Sequence, residues 1–150
     1  YQGWCSDMAV TIGVGKVPLS SKRLIEATRE ALRRGMAVVR PGAFVADISR
    51  AVQTYAEAQG FGVVRDLVGH GIGQSPHEDP RIYNFIGPGQ PKVELKEGMT
   101  ICIEPMITAG SWKVKTLDDD WTVATMDGSL AAHFEHTLVV TKNGYELLTK

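Results

Sequence analysis

Apolar and polar residues follow two different spacings along the chain. The change from one spacing to the other predicts where the helices end and the strands begin. From residue 20 to Gly35 the apolar positions recur three and four residues apart between charged ones, which predicts an amphipathic helix. Residues 44–59 repeat that spacing and stop before Gly60, which predicts a second helix. From Phe61 onward glycine and proline recur too often for a long helix, so strands and turns are expected there.

A strand is predicted before the first helix, over residues 4–14. Its sequence WCSDMAVTIGV is apolar at both odd and even positions, which is typical of a strand covered on both faces. Near the other end, Asn143-Gly144 is a hairpin signal between predicted strands at residues 137–141 and 145–148. Strand, helices and then more strands indicate an α+β fold in one domain over residues 1–150.

Composition argues against several classes of protein. The 16 Lys and Arg residues nearly balance the 17 Asp and Glu residues, so a polybasic nucleic-acid surface is not predicted. No apolar run approaches the ~18 residues that cross a bilayer, and no signal-peptide pattern opens the chain. Cys5 and Cys102 have neither metal-finger nor redox-motif spacing, which favours a reducing compartment.

Three carboxylates lie in strand-like apolar surroundings, where an unpaired charge is costly. They are Asp7 in SDMAV, Glu104 in ICIEPMI and Glu135 in HFEHTLVV. The two-residue period of a strand places Glu104 opposite the neighbouring isoleucines, and it places Glu135 on the face of His133, opposite Phe134. One such carboxylate is most simply an ion-paired residue at a sheet edge, but three together indicate a metal site.

A histidine between two glycines adds to this set. His70 lies between Gly69 and Gly71 in GHGIG, so its backbone can approach a site closely. A lone histidine is often only a half-buried structural residue, but His77 follows in PHEDP. Because the glycines and Pro76 exclude a helix, a strand and its following loop are expected to present the two histidines. One imidazole with several carboxylates suits Mn²⁺, Fe²⁺, Co²⁺ or Zn²⁺ in hydrolytic sites.

Other chemistry has weaker support in the sequence. A cysteine nucleophile needs a reactive thiol, but both cysteines lie in predicted strand interiors, where a thiol behaves as a small apolar group. The glycines at residues 13–15 and 69–73 lack the spacing and helix start of a phosphate-binding loop.

Several segments together resemble the methionine aminopeptidase family, type I. They are GHGIG with PHEDP, MTICIEPMITAG, and WTVATMDGSLAAHFEHTLVVT, and the resemblance covers essentially all 150 residues. It implies the pita-bread fold, a curved antiparallel sheet with helices on its outer face, and two divalent metal ions (Co, Mn, Fe(II) or Zn) on the concave face. It further implies a cytoplasmic enzyme that removes N-terminal methionine from peptides and nascent chains, without binding nucleic acid directly or a membrane.

The resemblance also implies a ligand set. Asp7 and Glu135 match the carboxylates that bridge the two metals, while His70 and Glu104 match the terminal ligands of one metal. The family's first metal aspartate and an upstream substrate histidine have no counterpart in this sequence. The chain is therefore expected to be the larger, C-terminal part of the domain, with the missing N-terminal segment as its partner.

Substrate-contacting residues follow from the same resemblance. His77 matches a histidine near the scissile bond, and Trp121 matches an aromatic residue bordering the methionine pocket. In the expected mechanism Glu104 passes a proton onward and His77 stabilises the tetrahedral species. Pro76 stands where relatives often carry a bulkier apolar residue.

Two alternatives remain open. One is a proline-specific aminopeptidase or prolidase of the same fold, although EPM rather than EPG after the strand is more similar to the methionine aminopeptidases. The other is a catalytically silent peptide-binding relative. That alternative predicts lost ligands, whereas the four positions that this chain can supply are filled.

Overall fold

The computed structural model describes residues 2–149, in which two helices are followed by a mostly β second half. In chain order the elements are β1 (Met8–Ala9), α1 (Leu19–Ala37), α2 (Val45–Ala58), β2 (Gly62–Val63), β3 (Gly69–Gly71), β4 (Glu78–Ile82), β5 (Thr100–Ile103), β6 (Met106–Thr108), β7 (Val114–Thr116), β8 (Val123–Thr125), β9 (Ala131–His133), β10 (Glu135–Thr141) and β11 (Gly144–Leu147). Neither helix of this part of the chain is long and apolar enough to cross a membrane.

The largest sheet is antiparallel and brings distant parts of the chain side by side. Its strand order is β1-β10-β5-β3-β4, and β11 also pairs with β10. β1 pairs with the start of β10, at Glu135 and His136, whereas β11 pairs with its later residues. β2, β6 and β9 form a smaller sheet, and β7 and β8 form a separate hairpin. This order makes neighbours of β1, β10, β5 and β3, the four strands nearest to the predicted ligands.

Both predicted helices are present, and their apolar residues pack against the large sheet. The core contains aliphatic side chains from both layers, among them Ala31, Leu32, Ile48, Val52, Ile101, Ile103, Leu138 and Val140. The first helix, predicted to end near Gly35, continues past this glycine to Ala37. A Cβ at Gly35 would lie 2.8 Å from Cγ2 of Val52, so this glycine permits the close crossing of the two helices.

The second helix and the final hairpin are both present. At the N-terminus of α2 the backbone N–H of Phe44 donates to Oδ2 of Asp47 over 2.9 Å. After the helix Gly60 has a φ of +82°, the left-handed conformation that glycine adopts at helix ends. In the hairpin Thr141 pairs with Gly144, so the turn between β10 and β11 is Lys142-Asn143, one residue earlier than the predicted Asn143-Gly144.

The prediction of a long strand covered on both faces at residues 4–14 was wrong. Only Met8–Ala9 is paired as a strand. Residues 5, 7, 9 and 11 are partly buried, but the alternate apolar side chains are exposed, from 40% at Met8 to 84% at Val14. β1 is an edge strand, and within residues 2–149 no second layer covers its outer side. An apolar pattern in a sequence indicates side chains that favour burial. It does not indicate which part of a molecule buries them.

Candidate metal centre

His70 is presented by β3 between two glycines that allow neighbouring strands to close around it. A Cβ at Gly69 would overlap the carbonyl oxygen of Cys102, and a Cβ at Gly71 would overlap that of Asp79. Nδ1 of His70 lies 2.9 Å from the carbonyl oxygen of Gly71 and, as the only possible donor of the pair, carries the proton. In the neutral imidazole Nε2 is then the unprotonated nitrogen, which is the form that binds a metal.

Nε2 of His70 faces two carboxylates, one half-buried and one buried. It lies 3.6 Å from Oε1 of Glu104 and 3.9 Å from Oε1 of Glu135. Glu104 directly follows β5 and Glu135 begins β10, and the pairing of these two strands brings the carboxylates together. Their side chains are only 14% and 5% exposed. The strand periodicity therefore placed both glutamates correctly, on the face away from the aliphatic core.

The surroundings of Glu135 shift its pKa strongly. Its Oε1 is buried, and no hydrogen-bond donor reaches it from the residues described. Burial, together with the negative charges of Glu104 and Asp7, raises the pKa of Glu135 to about 7. A carboxylate that is desolvated among other carboxylates is unfavourable unless a cation neutralises it. The arrangement is therefore suited to binding a positive ion.

Asp7 directly precedes β1, and Thr137 holds its backbone, but the Asp7 carboxylate belongs to neither of the two compact ligand groups found in residues 2–149. The Thr137 hydroxyl accepts a hydrogen bond from the Asp7 N–H over 2.8 Å and donates one to the Asp7 carbonyl oxygen over 2.7 Å. Oδ1 of Asp7 accepts a further hydrogen bond, from the N–H of Met8. Asp7 is close enough to Glu135 for its charge to raise the pKa of that residue.

Two compact groups of potential ligand atoms occur in residues 2–149. One joins His70, Cys102 and Glu135, and the other joins Glu104, His133 and Glu135, with the ligand atoms of each group within 4.8 Å of one another. Glu135 belongs to both groups. Carboxylate oxygens with imidazole nitrogens fit Mn²⁺, Fe²⁺, Co²⁺ or Zn²⁺.

The structure also places His77 beside His70. Their ring centroids are 4.4 Å apart, with one ring edge-on to the other. His77 immediately precedes β4, so a strand and its following loop present the two histidines, as the sequence predicts. Trp121 lies in the loop between β7 and β8, with 86% of its surface exposed. Its expected place beside a methionine pocket stays a prediction.

Sequence reasoning missed two residues that the structure places in these ligand groups, His133 and Cys102. Nε2 of His133 lies 3.3 Å from Oε2 of Glu104. The signal for both was strand periodicity, because His133 shares a face with Glu135 and Cys102 shares one with Glu104.

Burial raises the pKa of the Cys102 thiol to about 12. The thiol is therefore protonated at neutral pH, which argues against a cysteine nucleophile at this position.

Comparisons with known proteins agree with this geometry. The model of metallopeptidase family M24 matches residues 1–142. Methionine aminopeptidase 1 of Bacillus subtilis is 48% identical over 148 residues, which is 99% of this chain and 59% of that protein. The crystal structure of methionine aminopeptidase from Rickettsia prowazekii matches all of this chain and 60% of its own, with a TM-score of 0.95 and 46% identity. The prolidase structure from Pyrococcus horikoshii OT3 matches all of this chain and 37% of its own, with a TM-score of 0.78 and 28% identity.

These relatives confirm the predicted pita-bread fold, with its curved antiparallel sheet and helices on the outer face. The chain spans about 59% of the length of the Bacillus relative and 60% of the Rickettsia one. The match to the family model extends over the segments that carry Asp7, His70, Glu104 and Glu135. On these grounds the chain belongs to metallopeptidase family M24.

Proposed function

We propose that this chain is the metal-binding part of an enzyme that removes N-terminal methionine from peptides and nascent proteins in the cytoplasm. The observation that carries the proposal is the convergence of His70, Glu104 and Glu135 from three neighbouring strands, with a buried oxygen of Glu135 left without a donor in the described chain. The similarity to methionine aminopeptidases, at 46–48% identity, supports the substrate class.

The proposed ligands are Asp7, His70, Glu104 and Glu135, and the proposed cofactor is a pair of divalent ions such as Co²⁺, Mn²⁺, Fe²⁺ or Zn²⁺. When bound, such ions supply Lewis acidity that polarises a peptide carbonyl and acidifies water for hydrolysis. Three carboxylates carry three negative charges against the four positive charges of two ions. We therefore propose that a segment of the same domain, outside this sequence, supplies a further carboxylate.

Within the chain itself, His77 is proposed to contact the peptide next to the scissile bond. Its side chain is exposed and its ring lies against that of His70, so it borders the ligand cluster on the solvent side. From there an imidazole can donate a hydrogen bond to a carbonyl oxygen that gains negative charge. Glu104, in contact with both His70 and His133, is the proposed carrier of a proton toward the leaving amine. Trp121 is proposed to border the methionine pocket.

The two alternatives have less support. A prolidase specificity rests on relatives such as the Pyrococcus horikoshii OT3 protein, at 28% identity. A catalytically silent relative has no reason to retain three buried or half-buried carboxylates around an imidazole, because each costs several kcal/mol unless it is neutralised.

The test is a peptide assay on the Co²⁺- or Mn²⁺-loaded chain, with and without the N-terminal segment of a methionine aminopeptidase supplied as a separate piece. We expect Met-Ala-Ser to be cleaved feebly by the chain alone and faster with the segment, whereas Leu-Ala-Ser and Ala-Pro should resist. EDTA should abolish cleavage and Glu135→Gln should prevent it. Preferential cleavage of Ala-Pro would instead support the prolidase alternative, and no cleavage of any peptide would support the silent one.

A further inference from the structure

Glu104 lies between two imidazole rings, and only one of them belongs to the ligand set proposed above. Its Oε1 faces Nε2 of His70 at 3.6 Å, and its Oε2 faces Nε2 of His133 at 3.3 Å. Each oxygen of one carboxylate thus has its own histidine nitrogen. The ligand set proposed above assigns no role to His133.

Nε2 of His133 is buried, and no group in residues 2–149 forms a hydrogen bond with it. Its contact with Glu104 is close, but the two atoms are not aligned as donor and acceptor. Buried polar atoms in folded proteins nearly always have a partner. Oε1 of Glu135 is similarly unpaired, in a residue that is only 4% exposed. Two unpaired buried atoms in one cluster indicate a missing positive partner.

The backbone of His133 is held in a defined position. Its N–H donates to the hydroxyl of Thr11 over 2.9 Å, and the same hydroxyl donates to the His133 carbonyl oxygen over 2.8 Å. His133 also pairs with Met106 across β9 and β6. Phe134, the next residue, is buried in the core. These contacts fix the strand on both sides of His133, so the ring is directed toward Glu104 by the fold.

We propose that His133 is an additional metal ligand, which binds a divalent cation through Nε2 together with Glu104 and Glu135. The ligand atoms of these three residues all lie within 4.8 Å of one another. One imidazole nitrogen and two carboxylate oxygens form a set that Mn²⁺, Co²⁺ and Zn²⁺ accept. The inference rests on the proposed metal centre and adds a second imidazole to it.

Loss of a nitrogen ligand lowers affinity. Removing groups that only orient metal ligands already weakens binding by about 10–100-fold, so His133→Gln is expected to weaken Mn²⁺ binding at least tenfold. His136→Gln is the matched control, because His136 lies three residues further on, is half-buried, and has its Nδ1 3.0 Å from Oγ1 of Thr149. Calorimetric titration should show unchanged Mn²⁺ affinity in that control.

A spectroscopic test does not depend on enzymatic activity. With cadmium-113 as the added cation, proton–cadmium correlation spectra show a cross-peak only for an imidazole whose nitrogen is bonded to the metal. We expect cross-peaks from two histidines in the parent chain, with one lost in His133→Gln and both retained in His136→Gln.

The outcomes separate the inference from the proposed function. A single cross-peak, from His70 alone, would overturn the role of His133 and leave the metal centre intact. Two cross-peaks that both persist in His133→Gln would also overturn it, because the second imidazole would then be another residue. Absence of any cadmium binding would overturn the inference and the proposed metal centre together.

Discussion

The side chain of Thr137 holds the backbone of Asp7 from both sides, accepting from its N–H over 2.8 Å and donating to its carbonyl oxygen over 2.7 Å. These two hydrogen bonds join the residue before the edge strand β1 to β10, the strand that also carries Glu135. Thr137 is 1% exposed, so both backbone groups of Asp7 depend on a partner that water cannot easily replace. The position of one proposed metal ligand therefore depends on a hydroxyl group that is not itself a ligand.

The first prediction is that Thr137→Val destabilises the metal-free chain and weakens metal binding. Each backbone group left without a partner lowers the free energy of unfolding by about 1–3 kcal/mol, and Asp7 loses its fixed position. Thr137→Ser keeps the hydroxyl and is expected to behave like the parent. Urea denaturation and calorimetric Mn²⁺ titration measure the two effects. Equal Mn²⁺ affinity in the Val and Ser variants would show that this pair of hydrogen bonds does not position Asp7 for metal binding.

The second prediction separates His77 from the metal ligands. His77→Ala should lower turnover of a Met-peptide by about 10²–10⁴, the range for losing a group that transfers a proton or stabilises an oxyanion. Metal content, measured by atomic absorption, should stay at the parent level, because the proposed role of His77 needs only a hydrogen bond. If metal and activity were lost together, His77 would have to be a ligand.

The third prediction concerns the pH dependence of stability in the metal-free chain. The pKa of Glu135 rises from 4.5 to about 7 on folding, so the folded state binds this proton more tightly than the unfolded state does. The resulting stabilisation is fully present below pH 4.5 and is lost as the pH rises through 7. Each pKa unit corresponds to about 1.4 kcal/mol, so the thermal midpoint should fall by several degrees between pH 5.5 and pH 8.

Glu135→Gln is the control for this pH effect, because an amide cannot titrate. Its midpoint should change less over the same range, in the presence of EDTA throughout. If the parent and Glu135→Gln lost stability in parallel, the effect would have to come from another titrating group.

The fourth prediction tests the close packing that presents His70. In Gly71→Ala the new Cβ would overlap the carbonyl oxygen of Asp79, so the backbone of β3 must shift, and His70 shifts with it. Overpacking of this kind costs about 1–3 kcal/mol, and metal affinity should fall as well. Gly73→Ala is the control, since its Cβ would meet only the end of the flexible Glu78 side chain, 2.8 Å away. Similar thermal midpoints and affinities in the two variants would contradict this account.

Much of the fold and the centre could be predicted from the sequence, because the signals involved are local. Periodicity of three and four residues located both helices, and the two-residue period placed Glu104 and Glu135 on the face away from the aliphatic core. The glycines on either side of His70 were predicted to let its backbone approach a site closely. The structure shows that they also let neighbouring strands approach, since a Cβ would overlap neighbouring backbone at both positions.

The errors arose where the answer depended on a distant part of the molecule. Gly35 looked like a helix end because glycine often ends helices, but its function is set by Val52 on the other helix. The apolar pattern of residues 4–14 could not show that β1 is an edge strand. His133 shared a face with Glu135 in the sequence pattern, yet only the pairing of β9 with β6 and the position of Glu104 reveal its contact.

The central claim is that Asp7, His70, Glu104 and Glu135 converge on a divalent ion, and anomalous scattering tests it most directly. Crystals of the chain are soaked in Mn²⁺, and diffraction data are collected at a wavelength where manganese scatters anomalously. The account predicts a strong peak bounded by these four side chains. A peak elsewhere, or four side chains that point away from the peak, would contradict it.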